Sequence, residues 1–148
     1  MGLFSGSRPG NLGAVNGMLA RCKTSPNCVS SQTDRQQDPG HYIEPLQAGS
    51  DPLRTWSALR RLLDDMSRVN VVSDRDGYLY AEFSTPFMGF VDDVEFLQAG
   101  EVIHVRSASR MGRSDFGVNR ARIEAIRTQL AAKATQSGAA RTFLPCEP

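Results

Sequence analysis

Two alternating segments separated by a short turn constrain this chain more than any other feature. In Val91–Leu97 and Val102–Arg106, apolar and charged side chains alternate with the period of two that marks a half-buried strand. With Ala99-Gly100 as a two-residue turn, the register places Phe96 opposite Ile103 and Val94 opposite Val105. Glu95 then faces His104, and Asp93 faces Arg106. One face is apolar and the other pairs acid with base twice, and a slip of one residue would mix the two. Tyr78–Phe83 fits the same sheet, with Leu79, Ala81 and Phe83 directed to the core and Tyr78, Tyr80 and Glu82 to the charged face.

The flanking segments complete a small domain. Asp51-Pro52 is a helix start, with Asp as N-cap and Pro in the first turn. Leu53, Trp56, Leu59, Leu62, Leu63 and Met66 then recur at helical spacing, which predicts an amphipathic helix over 52–67. Val69–Ser73 reads as a strand joined to Tyr78–Phe83 through the turn residues Asp74 to Gly77. Phe87, Met88 and Phe90, in the connection that follows, are expected to plug one end of the core or, alternatively, to line a pocket mouth. A second helix is expected from about Val118 to Lys133, with Val118, Ile123, Ile126 and Leu130 on one face. The fold class is therefore α+β: an antiparallel sheet of about four strands packed on two helices in two layers. Residues 1–50, rich in Gly, Pro, Ser, Asn and Gln, read as a loop-rich segment, either a wrap over the domain or partly disordered, in which Val29 and Tyr42-Ile43 can each add a short edge strand. Residues 51–134 form the single domain, and 135–148 a flexible tail.

At 148 residues the chain can bury roughly 68–70% of its unfolded surface and needs no disulfide to fold. Its net charge of +1 argues against bulk electrostatic binding to nucleic acid or membrane. Of the 17 basic residues 15 are arginine, which a GC-rich genome explains as well as function does. No stretch is long and apolar enough to span a bilayer. The first residues lack an apolar signal region, and Gly6 replaces the hydroxyl residue of a myristoylation motif. The expected location is the cytoplasm. For Cys22 and Cys28, six apart, two reduced thiols is the reading a reducing compartment favours. A loop-closing or redox-active disulfide, or metal or nucleophilic chemistry, are the alternatives. The spacing is not that of a structural zinc site.

Two groups of residues offer chemistry. The first is the polar sheet face, with Asp92, Asp93, Glu95, His104 and Arg106; Asp92 and Asp93 point to opposite faces of a regular strand. Its alternative reading is a salt-bridge lattice on an exposed sheet. The second is the segment from Arg106 to Arg120, where Ser107, Ser109, Arg110, Asp115 and Asn119 precede a helix start. Free N–H groups and arginine forks there suit an anion, unless Asp115 or Asn119 caps the helix and the arginines pair with Asp92 and Asp93. No Walker A loop and no GxSxG elbow occurs. Asp93, Glu95 and His104 would sit on neighbouring strands, but each acid faces a base, so no metal is expected. No cofactor is indicated.

The motifs SPNCVSSQ, HYIEPL, DGYLYAEF, GFVDDVEF and IHVRSASRMGRSDFGVNRARIEAIR resemble the bacterial and plastid family of domains of unknown function numbered 1499. The resemblance runs from about Gly10 to Leu130. It implies a small single domain of unassigned activity, with no catalytic residue to carry over. Its motif positions fall here on Cys28, Tyr80, Glu82, Asp92, Asp93, Glu95, Arg106, Ser107, Ser109, Arg110, Asp115, Asn119 and Arg120. The resulting expectation is a binding domain for a small anionic ligand or a protein partner, in which Arg106, Arg110 and Arg120 contact the anion while Asp92, Asp93 and Glu95 orient them. The alternatives are a hydrolase or thiol-dependent enzyme with Cys28 as nucleophile and His104 or an acid as base, and a protein-docking scaffold.

Overall fold

A computed structural model describes residues 2–139. In chain order the elements are β1 (Cys28–Ser30), β2 (Leu46–Gln47), α1 (Pro52–Asp65), β3 (Val69–Arg75), β4 (Tyr78–Ser84), β5 (Val91–Ala99), β6 (Val102–Ser109) and α2 (Val118–Ala139). The strands form one antiparallel sheet in the order β1-β6-β5-β4-β3, and β2 also pairs with β6. The fold is thus α+β, with six strands rather than about four. The two additional strands are short pieces of the N-terminal segment laid along the outer edge of β6, at Ser107 and at Ile103. Val29 lies in one of them. Tyr42 makes only an isolated bridge to Ser30, and the second strand forms at Leu46 instead.

Turn chemistry sets the sheet's register. Between β3 and β4 both central residues, Asp76 and Gly77, have positive φ (54° and 72°), as a type I′ hairpin turn requires. Between β5 and β6 the turn is Gly100-Glu101, one residue later than expected, because Gly100 supplies positive φ (59°) at the first central position. Each cross-strand partner therefore moves by two residues. Phe96 faces Val105, Val94 faces Ser107, Glu95 faces Arg106 and Asp93 faces Ala108, while His104 lies opposite Leu97. A shift of two keeps every side chain on its expected face, so the faces stand although the pairs do not.

The apolar face is closed by the helices. Leu79, Ala81, Val94, Phe96, Ile103 and Val105 from the sheet pack with Leu59, Leu62, Leu63, Ile123, Ile126 and Leu130. Asp51 caps α1 by accepting from the Arg54 amide. Trp56 packs against the edge of this core, and its indole N–H donates to Asp74. Several apolar expectations are corrected. Leu53 and Val118 sit in the first turns of their helices and are exposed. Phe87 plugs nothing: it is fully exposed, Met88 is half exposed, and Phe90 stacks on Phe4. The second helix continues beyond Lys133 to Ala139, so the first residues of the expected tail are helical. The rest of that tail, with Cys146, lies outside the described residues. Among the described residues no helix is long and apolar enough to cross a membrane.

Phe96 is wholly buried at the centre of this core. Phe96→Ala should lower stability by about 3–5 kcal/mol in urea unfolding.

Candidate functional site

The charged sheet face is not exposed. Residues of the N-terminal segment lie across it, and Asp93 (1% exposed), Glu95 (0%) and Arg106 (6%) are buried beneath. Burial of this kind is tolerated only when every charge is paired and hydrogen-bonded, and two networks provide that. In the first, Arg110 grips Asp93 through Nε (3.0 Å to Oδ2) and Nη2 (2.8 Å to Oδ1), and also binds Glu82. The Tyr80 hydroxyl donates to Asp93 and accepts from Arg110 Nη2 at 3.1 Å. Arg8 reaches in from the N-terminal segment to Glu82 at 2.7 Å. In the second, Glu95 accepts from the Tyr78 hydroxyl and the Gly13 amide, each at 2.9 Å, and from Arg106 Nη1 at 3.2 Å.

The titration of these groups follows from that environment. Burial, reinforced by the neighbouring Glu95 and Asp93, pushes the Tyr78 and Tyr80 hydroxyls up. The Asp93 hydrogen bonds hold the Arg110 guanidinium above its usual range. Burial alone would raise the Glu82 carboxyl, but hydrogen bonds from Arg8, Arg110 and Tyr80 outweigh it and bring the carboxyl down to about 2.

On the helix side of the sheet a separate network joins β5 and β6 to the start of α2. Arg122 pairs with Asp92 and donates to Ser107 Oγ (3.1 Å) and Asn119 Oδ1 (2.8 Å). Asn119, fully buried, donates to Ser109 and to Asp115. Asp115 accepts from the amides of Gly117 and Asn119, so the helix terminus carries its own carboxylate cap. Burial would raise the Asp115 carboxyl, but these hydrogen bonds lower it. Arg120 points elsewhere, to the carbonyls of Gly40 and Tyr42, and clamps the N-terminal segment to α2.

The cysteines depart from the expected reduced pair. Cys22 and Cys28 are joined by a disulfide, so Cys28 carries no free thiolate here. His104, whose imidazole burial holds below its usual range, meets Ser31 Oγ at 3.1 Å and pairs with no carboxylate among the described residues. His41 is held by Asp38 and by the Ser25 carbonyl. The Ser25 carbonyl, followed by Asp38, raises its pKa against the opposing effect of burial. Among the described residues no cluster of three or more His, Cys, Asp or Glu is placed to hold a metal.

Two hollows adjoin the charged face, an open one of about 410 Å³ lined by Arg8, Tyr78 and Tyr80 among others and a smaller, more enclosed one. The smaller cavity encloses about 150 Å³ between the N-terminal segment, the disulfide loop and the ends of β5 and β6. Arg106, Arg110 and Asp93 line it with Cys28 and three residues of the disulfide loop, Lys23, Ser25 and Asn27. Arg106 has a buried Nε with no partner among the described residues, and Lys23 is exposed and makes no ion pair there. Of the arginines expected to act together, Arg106 and Arg110 meet at this cavity and Arg120 does not. Tyr78 is on the charged face as expected, whereas Lys23, Arg8 and Arg122 were not among the expected residues. Only Lys23 carried a signal, as the one lysine within the Cys22–Cys28 loop. Another hollow of about 360 Å³, lined by Leu46, Ala48, Thr55 and Leu130 among others, contains none of the expected site residues.

Two outcomes follow from the buried network. Arg110→Ala leaves Asp93 buried without its cation and should cost about 3–5 kcal/mol in chemical unfolding, a structural rather than a binding defect. Because the Glu82 carboxyl is lower folded than unfolded, its contribution is fully present above pH 4.5 and is lost as pH falls toward 2. The wild type should lose stability across that window, and Glu82→Gln should flatten part of the slope.

Comparison with known proteins adds one finding. A family model described as a protein of unknown function (DUF1499) matches residues 18–130. No curated protein and no solved structure matches the chain.

Proposed function

The chain belongs to the DUF1499 family, and from that premise we propose that it is a small-anion-binding domain whose site is the cavity between the disulfide loop and the charged sheet face. The observation that carries this reading is a buried arginine, Arg106, beside that cavity whose Nε donor, like the Lys23 cation next to it, has no partner among the described residues. A buried donor without a partner costs about 1–3 kcal/mol, and an anion seated against Arg106 would supply acceptor oxygens. Three cationic side chains, Lys23, Arg106 and Arg110, line the cavity against one anionic side chain, Asp93. Asp93 is neutralised by Arg110, and Arg106 is balanced by Glu95 behind it, so Lys23 leaves the site net positive. A space of 150 Å³ holds about five waters and suits a phosphate or a short carboxylate.

In this reading the roles expected of the arginines are redistributed. Arg106 and Lys23 contact the anion, Arg110 and Asp93 form the rigid floor, and Glu95 with Tyr78 orients Arg106. Arg120, Ser107, Ser109, Asp92, Asp115 and Asn119 position α2 and the N-terminal segment. Cys28 acts as a wall of the site through its disulfide rather than as a nucleophile. The same disulfide favours an oxidising compartment over the cytoplasm.

Inorganic phosphate should raise the melting temperature in a saturable, salt-sensitive way. Lys23→Ala removes an exposed, unpaired cation and should leave intrinsic stability within about 0.5 kcal/mol. It should weaken phosphate binding by about fivefold to tenfold. A phosphate response equal in wild type and Lys23→Ala would refute the site.

A further inference from the structure

The end of the sheet beside the cavity exposes more apolar surface than the fold requires. The loop between β4 and β5 presents Phe87, fully exposed, and Met88, half exposed. Leu3 (88% exposed) is held against that loop, because Gly2 and Gly89 meet so closely that a Cβ on Gly89 would lie 2.4 Å from the Gly2 Cα. The Phe4–Phe90 stack, 5.1 Å between ring centroids, fastens the same junction. On the other side, exposed Met111 in the loop after β6 lies against Gly6, whose Cβ would come 3.1 Å from Met111 Cγ. Three chain segments thus meet here, the first two backbone to backbone and the third through the Met111 side chain on Gly6, while Leu3, Phe87 and Met88 project into solvent and Met111 stays partly exposed beside them.

The charges flanking Met111 in sequence are Arg110, Arg113 and Asp115, the last taken up in capping α2. Residues 84–90 carry none, and Arg113, two residues beyond Met111, is exposed and unpaired among the described residues. Met111 lies between Arg110 and Gly112, both of which line the anion cavity with Lys23. An anion site and a cluster of protruding apolar side chains therefore share one edge. We infer that this edge docks on an anionic lipid surface, with a headgroup phosphate in the cavity and Leu3, Phe87, Met88 and Met111 entering the interface. The inference rests on the anion-binding reading above and supplies its ligand class. Separate side chains on loop tips suit a deformable interface, which each can enter independently, better than a rigid partner that would need a matching pocket for each. With a net charge of only +1 the whole molecule is not drawn to the membrane; attraction comes from the local pair Lys23 and Arg113 and from apolar insertion.

The test uses the disulfide-bonded protein with vesicles of phosphatidylcholine, with or without phosphatidylglycerol. Wild type should sediment with the phosphatidylglycerol vesicles and much less with phosphatidylcholine alone. Phe87 has φ +66°, so Phe87→Asn places a residue that tolerates this backbone and should leave the fold intact. It should lower vesicle partition about tenfold. In Phe87→Trp the new indole should shift its emission to the blue on adding vesicles, whereas Trp56 on α1 should not respond. No sedimentation of wild type, or sedimentation unaffected by Phe87→Asn, would overturn the inference. So would Phe87-dependent self-association without vesicle binding, which would assign the edge to a second copy. If phosphate still raises the melting temperature in a Lys23-dependent manner while vesicles fail, only the lipid inference falls; if both fail, the anion reading falls with it.

Discussion

Arg110 and Asp93 form a two-pronged ion pair between the end of β6 and β5, beneath the N-terminal segment, and the rest of the charged face is arranged around that pair. Removing both groups from water carries a large desolvation cost, which the bidentate geometry and the added Tyr80 and Glu82 contacts offset. Arg110 also donates to the Ser5 carbonyl, and Arg8 binds Glu82, so the same pair fastens the N-terminal segment. Gly13 repeats the device at Glu95. A segment with little regular structure of its own is thereby fixed by charges that would be unstable without it. The dependence is mutual: the covering segment keeps water out, and the buried carboxylates hold the segment down.

This arrangement determines what chemistry the face can support. Asp93 and Glu95 are each met by a cation and a tyrosine and Glu82 by two arginines, which suits a rigid floor better than a proton shuttle. The groups left with spare capacity are Arg106, through Nε, and Lys23, and both favour an anion. The disulfide brings Lys23 to that place, since Cys28 belongs to the strand β1 on β6 and Cys22 is tied to it. On the opposite face the Asp92–Arg122–Asn119 network anchors α2, so the two adjacent aspartates of β5 hold two different layers.

The sheet's two faces were legible in the sequence because a period of two survives any even shift in register. The pairing across β5 and β6 was not, because Ala99-Gly100 and Gly100-Glu101 both read as turns until the positive φ is assigned to a position. The identities of the charged residues were also legible, from their alternation and their place in the family's motifs. Their burial was not. Nothing in the composition of residues 1–50 announces that they lie over Asp93 and Glu95, because the contacts run through backbone groups such as Gly13 N and Ser5 O. The cysteines misled for a related reason: the compartment was inferred from a missing signal, whereas the bond depends on β1 holding Cys28 beside the returning chain. An apolar connection such as 84–90 fits a core plug or a pocket mouth equally well by composition, and Phe87 is instead fully exposed.

The central claim is that the cavity beside Arg106 and Lys23 is built for an anion. A crystal structure of the disulfide-bonded protein grown with tungstate, a heavy oxyanion visible by its anomalous signal, tests it most directly. The account predicts one ordered tungstate within hydrogen-bond reach of Lys23 and Arg106, with the Arg110–Asp93 pair undisturbed. Tungstate bound only at surface arginines such as Arg113, with the cavity holding none, would contradict it.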